Sequence, residues 1–322
     1  MDSSIIKFAN KLELHYYFSD KSYYIDAQVK QRCEKEVISL IRLLADLMDV
    51  KLTVYSEPST GEGYKEVWGV AGENARSISV VLSIMMQLFT HPFVSSNGQL
   101  TLDRSDADEE RMQREIAALR RELKLKVPGI NIPRELIEDL NLLPRVCKCK
   151  SNFYEALKGY PKVRKFSVRE LNESNKSRSG LMEVKREQFN YYILRTDELP
   201  PIKDMKASIE IVSPVLMKDS KYRWKGIYNK GGEIIDFYMR DEDFKRDMVD
   251  DKIAFTSGMC IDCVLEIDRK MNEVGEIVNI SYSVTTVIKT RFDKLEIITP
   301  QGKKHLKKLE AEKQQLTLDL FA

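Results

Sequence analysis

The chain has 322 residues, 43% of them apolar, and its 52 basic and 50 acidic residues nearly cancel. A chain of this length exceeds what one compact core usually holds, and a charge so balanced excludes no class of partner until it is located along the sequence. Five scattered cysteines (Cys33, Cys147, Cys149, Cys260 and Cys263) do not read as a secreted disulfide framework, so a reducing, cytoplasmic setting is expected.

The N-terminal residues lack the basic and apolar regions of a signal peptide. The longest apolar run, Ile78 to Phe89, is about half a membrane span and predicts a buried helix instead. "IIKFA", "LELHYYF" and "KLTVYSE" read as strands, and "PSTGEGYKE" as a loop punctuated by Pro58, Gly61 and Gly63. Between them, Val29, Cys33, Val37, Leu40, Ile41, Leu44 and Leu47 recur at helical spacing and predict a long amphipathic helix. The stretch 107–124 carries Met112, Ile116, Leu119 and Leu123 as a narrow stripe among charges. That pattern suits a solvent-facing helix or a seam with a second copy or another chain. A short helix is expected after Pro133.

From 143 to 179 the composition turns basic, with ten Lys and Arg against three Glu, a difference of +7. Aromatic residues Phe153, Tyr154, Tyr160 and Phe166 lie inside it. Cations that neutralise phosphates beside rings that stack on bases are the components of a nucleic-acid surface. Lys148, Lys150, Lys158, Lys162, Arg164, Lys165 and Arg169 are the candidate DNA contacts. The alternative is an ordinary helix-and-loop face whose rings point inward. Pro200–Pro201 then reads as a stiff linker. Beyond it, five strand-like segments, one charged helix ("DEDFKRDMVD") and intervening turns predict a small barrel or sandwich. The expected fold class is α+β: a mixed domain over 1–198, a β-rich barrel-like domain over 202–299, and a mobile tail over 300–322.

Most of the usual motifs of catalysis are missing. There is no phosphate-binding loop, no H-E-x-x-H helix and no serine elbow, and three scattered histidines. "CKC" at 147–149 and "CIDC" at 260–263 have poor spacing for zinc. No metal or cofactor is expected. Asp26, Glu34, Glu57, Glu62 and Glu66, with Lys65, are the acids a metal-dependent nuclease would have to gather, though their order does not match the usual nuclease pattern.

The chain end, "EKQQLTLDLFA", places leucines at alternate positions and closes on Leu-Phe. Gln315, Leu316, Leu318, Leu320 and Phe321 resemble, position by position, the bacterial sliding-clamp-binding peptide, which implies a clamp as partner and extended recognition in adjacent pockets. The alternative is a terminal segment docked on its own domain. "SYYIDAQVKQRCEKEV", "SNFYEALKGYPKV" and "IEIVSPVLMKDSKYRWKG" resemble a two-domain bacterial family found in mobile-element and phage-defence settings. These resemblances imply a non-enzymatic accessory protein in anti-phage defence that docks on the clamp and touches DNA through 143–179. A nuclease effector and a structural subunit, self-paired or partnered through 107–124, are the alternatives.

Overall fold

The computed structural model describes residues 8–20, 22–57, 64–93, 106–125, 130–215, 217, 222–229, 232–250, 252–292 and 295–319, with backbone alone at 106 and 312–319. The chain is α+β and forms two compact units, 1–197 with 271–276, and 198–270 with 277–322.

The first unit runs β1 (Asn10–Phe18), α1 (Ala27–Met48), β2 (Leu52–Glu57), β3 (Tyr64–Gly72), α2 (Ala75–Thr90), α3 (Asp106–Leu125), α4 (Arg134–Leu140), α5 (Pro144–Gly159), β4 (Val163–Leu171) and β5 (Met182–Lys185), then a 3₁₀ turn over Arg186–Tyr192. Its sheet has the order β2-β3-β1-β4-β5, and every neighbouring pair is antiparallel. The first four strands have the 2-3-1-4 order of a split β-α-β, ferredoxin-like sheet, with β5 added at one edge.

Alternation in β1 decides which face the helices cover. Leu12, Leu14 and Tyr16 are fully buried in the core with α1, α2 and α5, while Lys11, Glu13, His15 and Tyr17 point to the other face. The Asp26 carboxylate caps α1 by accepting from the backbone N–H groups of Gln28 and Val29. The helix then buries Cys33, Val37, Leu40, Ile41, Leu44 and Met48. The stripe on α3 that sequence reading offered as a pairing seam is consumed internally. Met112, Ile116, Leu119 and Leu123 are all buried in the same core, and Arg120 donates to the Leu47 carbonyl. That stripe presents no apolar seam to a second copy or another chain.

The second unit runs β6 (Glu198–Ser213), β7 (Trp224–Tyr228), β8 (Glu233–Met239), α6 (Glu242–Val249), β9 (Cys260–Met271), β10 (Ile277–Phe292), β11 (Leu295–Ile298) and α7 (Pro300–Asp319). β6 pairs with both β7 and β9, and β10 pairs with both β8 and β9, so five strands close into a barrel. β10 is parallel to β8, and α6 connects β8 to β9. Numbered within the unit, the order is 1-2-3-5-4-1, that of an OB-type Greek-key barrel. Asp241 ties its closing elements together. Its carboxylate accepts from Phe244 N at the start of α6 and from Val287 N on β10.

Two expectations about segments need correction. Pro200–Pro201 is not a linker but lies within β6, where the register against β9 shifts between Leu199 and Ile202. A bulge is the place where a strand tolerates a missing N–H. The stretch after 299 does not begin as a free tail. Thr299 N donates to the Ile288 carbonyl, the Thr299 hydroxyl accepts from Gly302 N, and Gly302 is buried against β10, where a Cβ would collide with the Ile288 carbonyl. The first turn of α7 is therefore anchored on the barrel. At 271–276, which belongs to the first unit, Gly275 (φ 76°) packs so closely on Pro144 and Arg145 that a Cβ would come within 2.6 Å of the Arg145 Cα.

Candidate nucleic-acid interface

The seven basic residues proposed from sequence separate into two groups. Those on α5 mostly belong to the interior. Lys150 is fully buried and donates to the His91 carbonyl (2.6 Å) and to the Asn141 side-chain oxygen, with its ammonium 4.1 Å from the Phe93 ring centroid. Burial pulls Lys150 down to about 7, while the two oxygens and the ring are partners for its charged form. Lys148 is buried and donates to both Asp197 carboxylate oxygens at 2.9 and 2.8 Å. Neither can reach a phosphate, so both leave the proposed surface. The rings of Phe153, Tyr154 and Phe166 are likewise core residues. Lys158 is exposed at the end of α5.

Those on and before β4 face outward. V-R-K-F-S-V-R-E-L alternates, with Phe166 and Val168 inward and Lys165 and Arg169 on the sheet face away from the helices, while Arg164 is exposed beside the irregularity where β1 shifts register. On that face Lys165 stands opposite Tyr17, Ser167 opposite His15, and Arg169 opposite Glu13. β3 adds Lys65 opposite His15, and β5 adds Lys185 directly opposite Lys165 and Glu183 opposite Ser167.

The face has two unlike ends. At the Lys11 end the charges answer one another. Lys11 donates to Glu57 (2.9 Å) and to the Asn175 side chain (3.1 Å), and Arg169 holds Glu13 through two nitrogens at 2.8 and 3.1 Å. Phe8 fills the space over Gly69 and packs on Tyr55. At the Tyr17 end, three lysines (Lys65, Lys165, Lys185) face one carboxylate among the described residues, Glu183, which pairs with Lys165 at 2.8 Å and raises its pKa through that hydrogen bond. Two like charges directly opposite on adjacent strands repel. Aromatic rings accompany them. His15 and Tyr17 stack with centroids 3.8 Å apart, and the Lys165 ammonium lies 4.2 Å from the Tyr17 centroid. Just beyond the strand end, Lys162 sits 3.9 Å from the centroid of Tyr24, which is 71% exposed, while donating to the Tyr24 carbonyl and pairing with Asp20 at 3.6 Å.

His15, Tyr17 and Lys185 are not among the candidates read from sequence, and Lys65 enters there only beside the nuclease acids, although the period-two alternation of "LELHYYF" already puts His15 and Tyr17 on one face.

The acids of the nuclease alternative do not gather at one site, although Glu34 comes near Glu66. Glu57 pairs with Lys11 on the open face, whereas Glu66, opposite Leu14, faces the helices. Burial, then the nearby Glu34 charge, pushes Glu66 up to about 8. Asp26 is committed to capping α1, and Glu62 lies outside the described residues. Cys147 and Cys149 belong to one unit, Cys260 and Cys263 to the other. No group of three or more His, Cys, Asp or Glu arranged to hold a metal occurs among the described residues. No helix among them is long and apolar enough to cross a membrane.

Of the tail residues, Gln315, Leu316 and Leu318 lie on the helical backbone of α7, while Leu320 and Phe321 fall outside the described residues. Lys303, Lys304, Lys307 and Lys308 are all exposed along the helix leading to them. Both sheet topologies are read from strand order itself; no family model, curated protein or solved structure matches the chain.

Proposed function

We propose that this chain is a nucleic-acid-binding accessory protein that contacts its ligand with the Tyr17 end of the first sheet's open face and docks on a sliding clamp through Gln315–Phe321. The observation that carries the nucleic-acid reading is the lysine surplus beside stacked rings. Lys165 and Lys185 oppose one another with Glu183 answering one of them, and a phosphate between them would relieve the repulsion. The reading keeps Lys162, Arg164 and Lys165 from the basic segment, drops Lys148 and Lys150, and adds Lys65 and Lys185.

The clamp reading rests on the peptide's resemblance and is supported by the exposed lysines of α7, which would lie against DNA threaded through a ring. The extended form it requires differs from the helical backbone through Asp319, so docking would unwind the last five helical residues, about a turn and a half. A terminal helical turn is held by few i→i−4 bonds and yields readily. A seven-residue peptide buries little area, so affinity should be about micromolar. An anti-phage setting is the context that the family resemblance adds.

A pull-down with a bacterial clamp tests the tail. Wild type should be retained and the Leu320→Ala/Phe321→Ala variant lost, with equal melting temperatures. Equal retention of both would remove the clamp from the proposal. Oligonucleotide binding before and after charge reversal at Lys65, Lys165 and Lys185 tests the sheet face.

A further inference from the structure

Two exposed or half-exposed tyrosines at this site each carry a lysine ammonium on the ring: Lys165 over Tyr17 at 4.2 Å, and Lys162 over Tyr24 at 3.9 Å. An ammonium on a ring occupies the place where a nucleobase would stack. We infer that the ligand is a single strand, and that Lys162 and Lys165 act as placeholders: each leaves its ring for a phosphate as a base takes its position on Tyr17 or Tyr24. This rests on the reading of the sheet face as a nucleic-acid interface and adds the ligand class and the residues that select it.

The exchange favours binding on both sides. A base covers an aromatic ring more fully than the half-buried ammonium it replaces. The freed ammonium gains a phosphate and releases a condensed counterion. The carboxylates are weak competitors, because Glu183 and Asp20 are both exposed and such an ion pair contributes little; Lys162, itself only 13% exposed, must also leave the Tyr24 carbonyl and the Phe18 ring at 4.6 Å, so its exchange is the costlier of the two. A duplex offers no such exchange, since its bases are already stacked on each other and its outside presents phosphates to lysines alone. Tyr17 is positioned for the role by His15, stacked on it with centroids 3.8 Å apart, and by the Ser167 hydroxyl, which donates to its phenol oxygen at 3.4 Å. Nothing on the face distinguishes ribose from deoxyribose, so both strand types belong in the test.

The experiment is a fluorescence-anisotropy titration of the full chain with labelled oligothymidylate, oligouridylate and a duplex of equal length. Wild type should bind at least one single strand more tightly than the duplex. Tyr17→Ala and Tyr24→Ala should each weaken single-strand binding by about five- to 150-fold, the equivalent of one stacked base, with an unchanged salt slope. Tyr17→Phe and Tyr24→Phe keep the ring and should bind as wild type does, which separates stacking from misfolding. Duplex binding as tight as single-strand binding would overturn the inference. So would single-strand binding that survives both alanine variants while Lys65→Glu/Lys185→Glu abolishes it; in that case the cationic interface stands and the stacking role falls. Absence of binding to all three probes by wild type would overturn the interface reading together with the inference.

Discussion

In α5, Lys148 and Lys150 turn inward and hold a carboxylate, a carbonyl and an amide oxygen; in β4, Lys165 and Arg169 turn to the open face, Lys165 opposite Lys185. Both segments read as equally basic. What separates them is the period of the element that carries them. A helix of about 3.6 residues per turn that is covered on most sides sends some of its cations into the interior, where they must find oxygen partners. A strand with one covered face sends every second residue outward. The surplus that matters for a ligand is the part left unanswered after internal pairing, and that part lies on β3, β4 and β5.

Lys150 gives the largest expected effect. Lys150→Ala would leave the His91 carbonyl and Asn141 without their donor and open a cavity beside Phe93. We expect a loss of about 3–5 kcal/mol in stability with unchanged nucleic-acid affinity per folded molecule, read by denaturant melts and anisotropy. A large affinity change without a stability change would mean that α5 belongs to the surface after all.

Glu66 is the acidic counterpart of Lys150, a charge turned inward. Its folded value, about 8, lies above the ordinary carboxylate value, so its contribution to stability is complete below roughly pH 4.5 and is lost as pH rises towards 8. The stability gap between Glu66→Gln and wild type should widen by about 1.4 kcal/mol per pH unit across that window and level off above it. A gap independent of pH would contradict the burial of this carboxylate.

Arg186 sharpens the boundary between the two segments. Its guanidinium donates to the carbonyls of Leu157, Lys158, Tyr160 and Val163, closing the end of α5 just where β4 begins. Arg186→Ala should cost about 2–3 kcal/mol of stability by calorimetry. On the outward side, Lys185→Glu should move stability by less than about 0.5 kcal/mol, because it removes a repulsion at an exposed site, yet weaken oligonucleotide binding and lower the salt slope by about one.

Much of this arrangement was legible in the residues. The apolar spacing of α1, the buried run of α2, the strands of the barrel and the alternation of β1 all follow from side-chain period. β3 escaped notice because glycines and loop residues precede it, and β4 because its outward charges made a strand look like a basic surface segment. The fate of Lys148 and Lys150 depends on His91, Asn141 and Asp197, partners distant in sequence, which no local pattern names. The stripe on α3 was ambiguous for the same reason: a narrow apolar seam looks alike whether its partner is another copy or the chain's own core. The alternating lysines and rings of the interface lie on four strands, and only their register brings Tyr17, Lys165 and Lys185 into one row, with Lys65 opposite His15 in the next.

The central claim is that the Tyr17 end of the sheet, and not the α5 segment, attracts nucleic acid. The most direct measurement is anisotropy of a labelled oligothymidylate against salt concentration for wild type, Lys65→Glu/Lys165→Glu/Lys185→Glu and Lys148→Met. The triple variant should lose at least tenfold in affinity and most of its salt dependence, while folded Lys148→Met should bind as wild type does. Unaltered binding by the triple variant, or loss of binding on changing Lys148 alone, would contradict it.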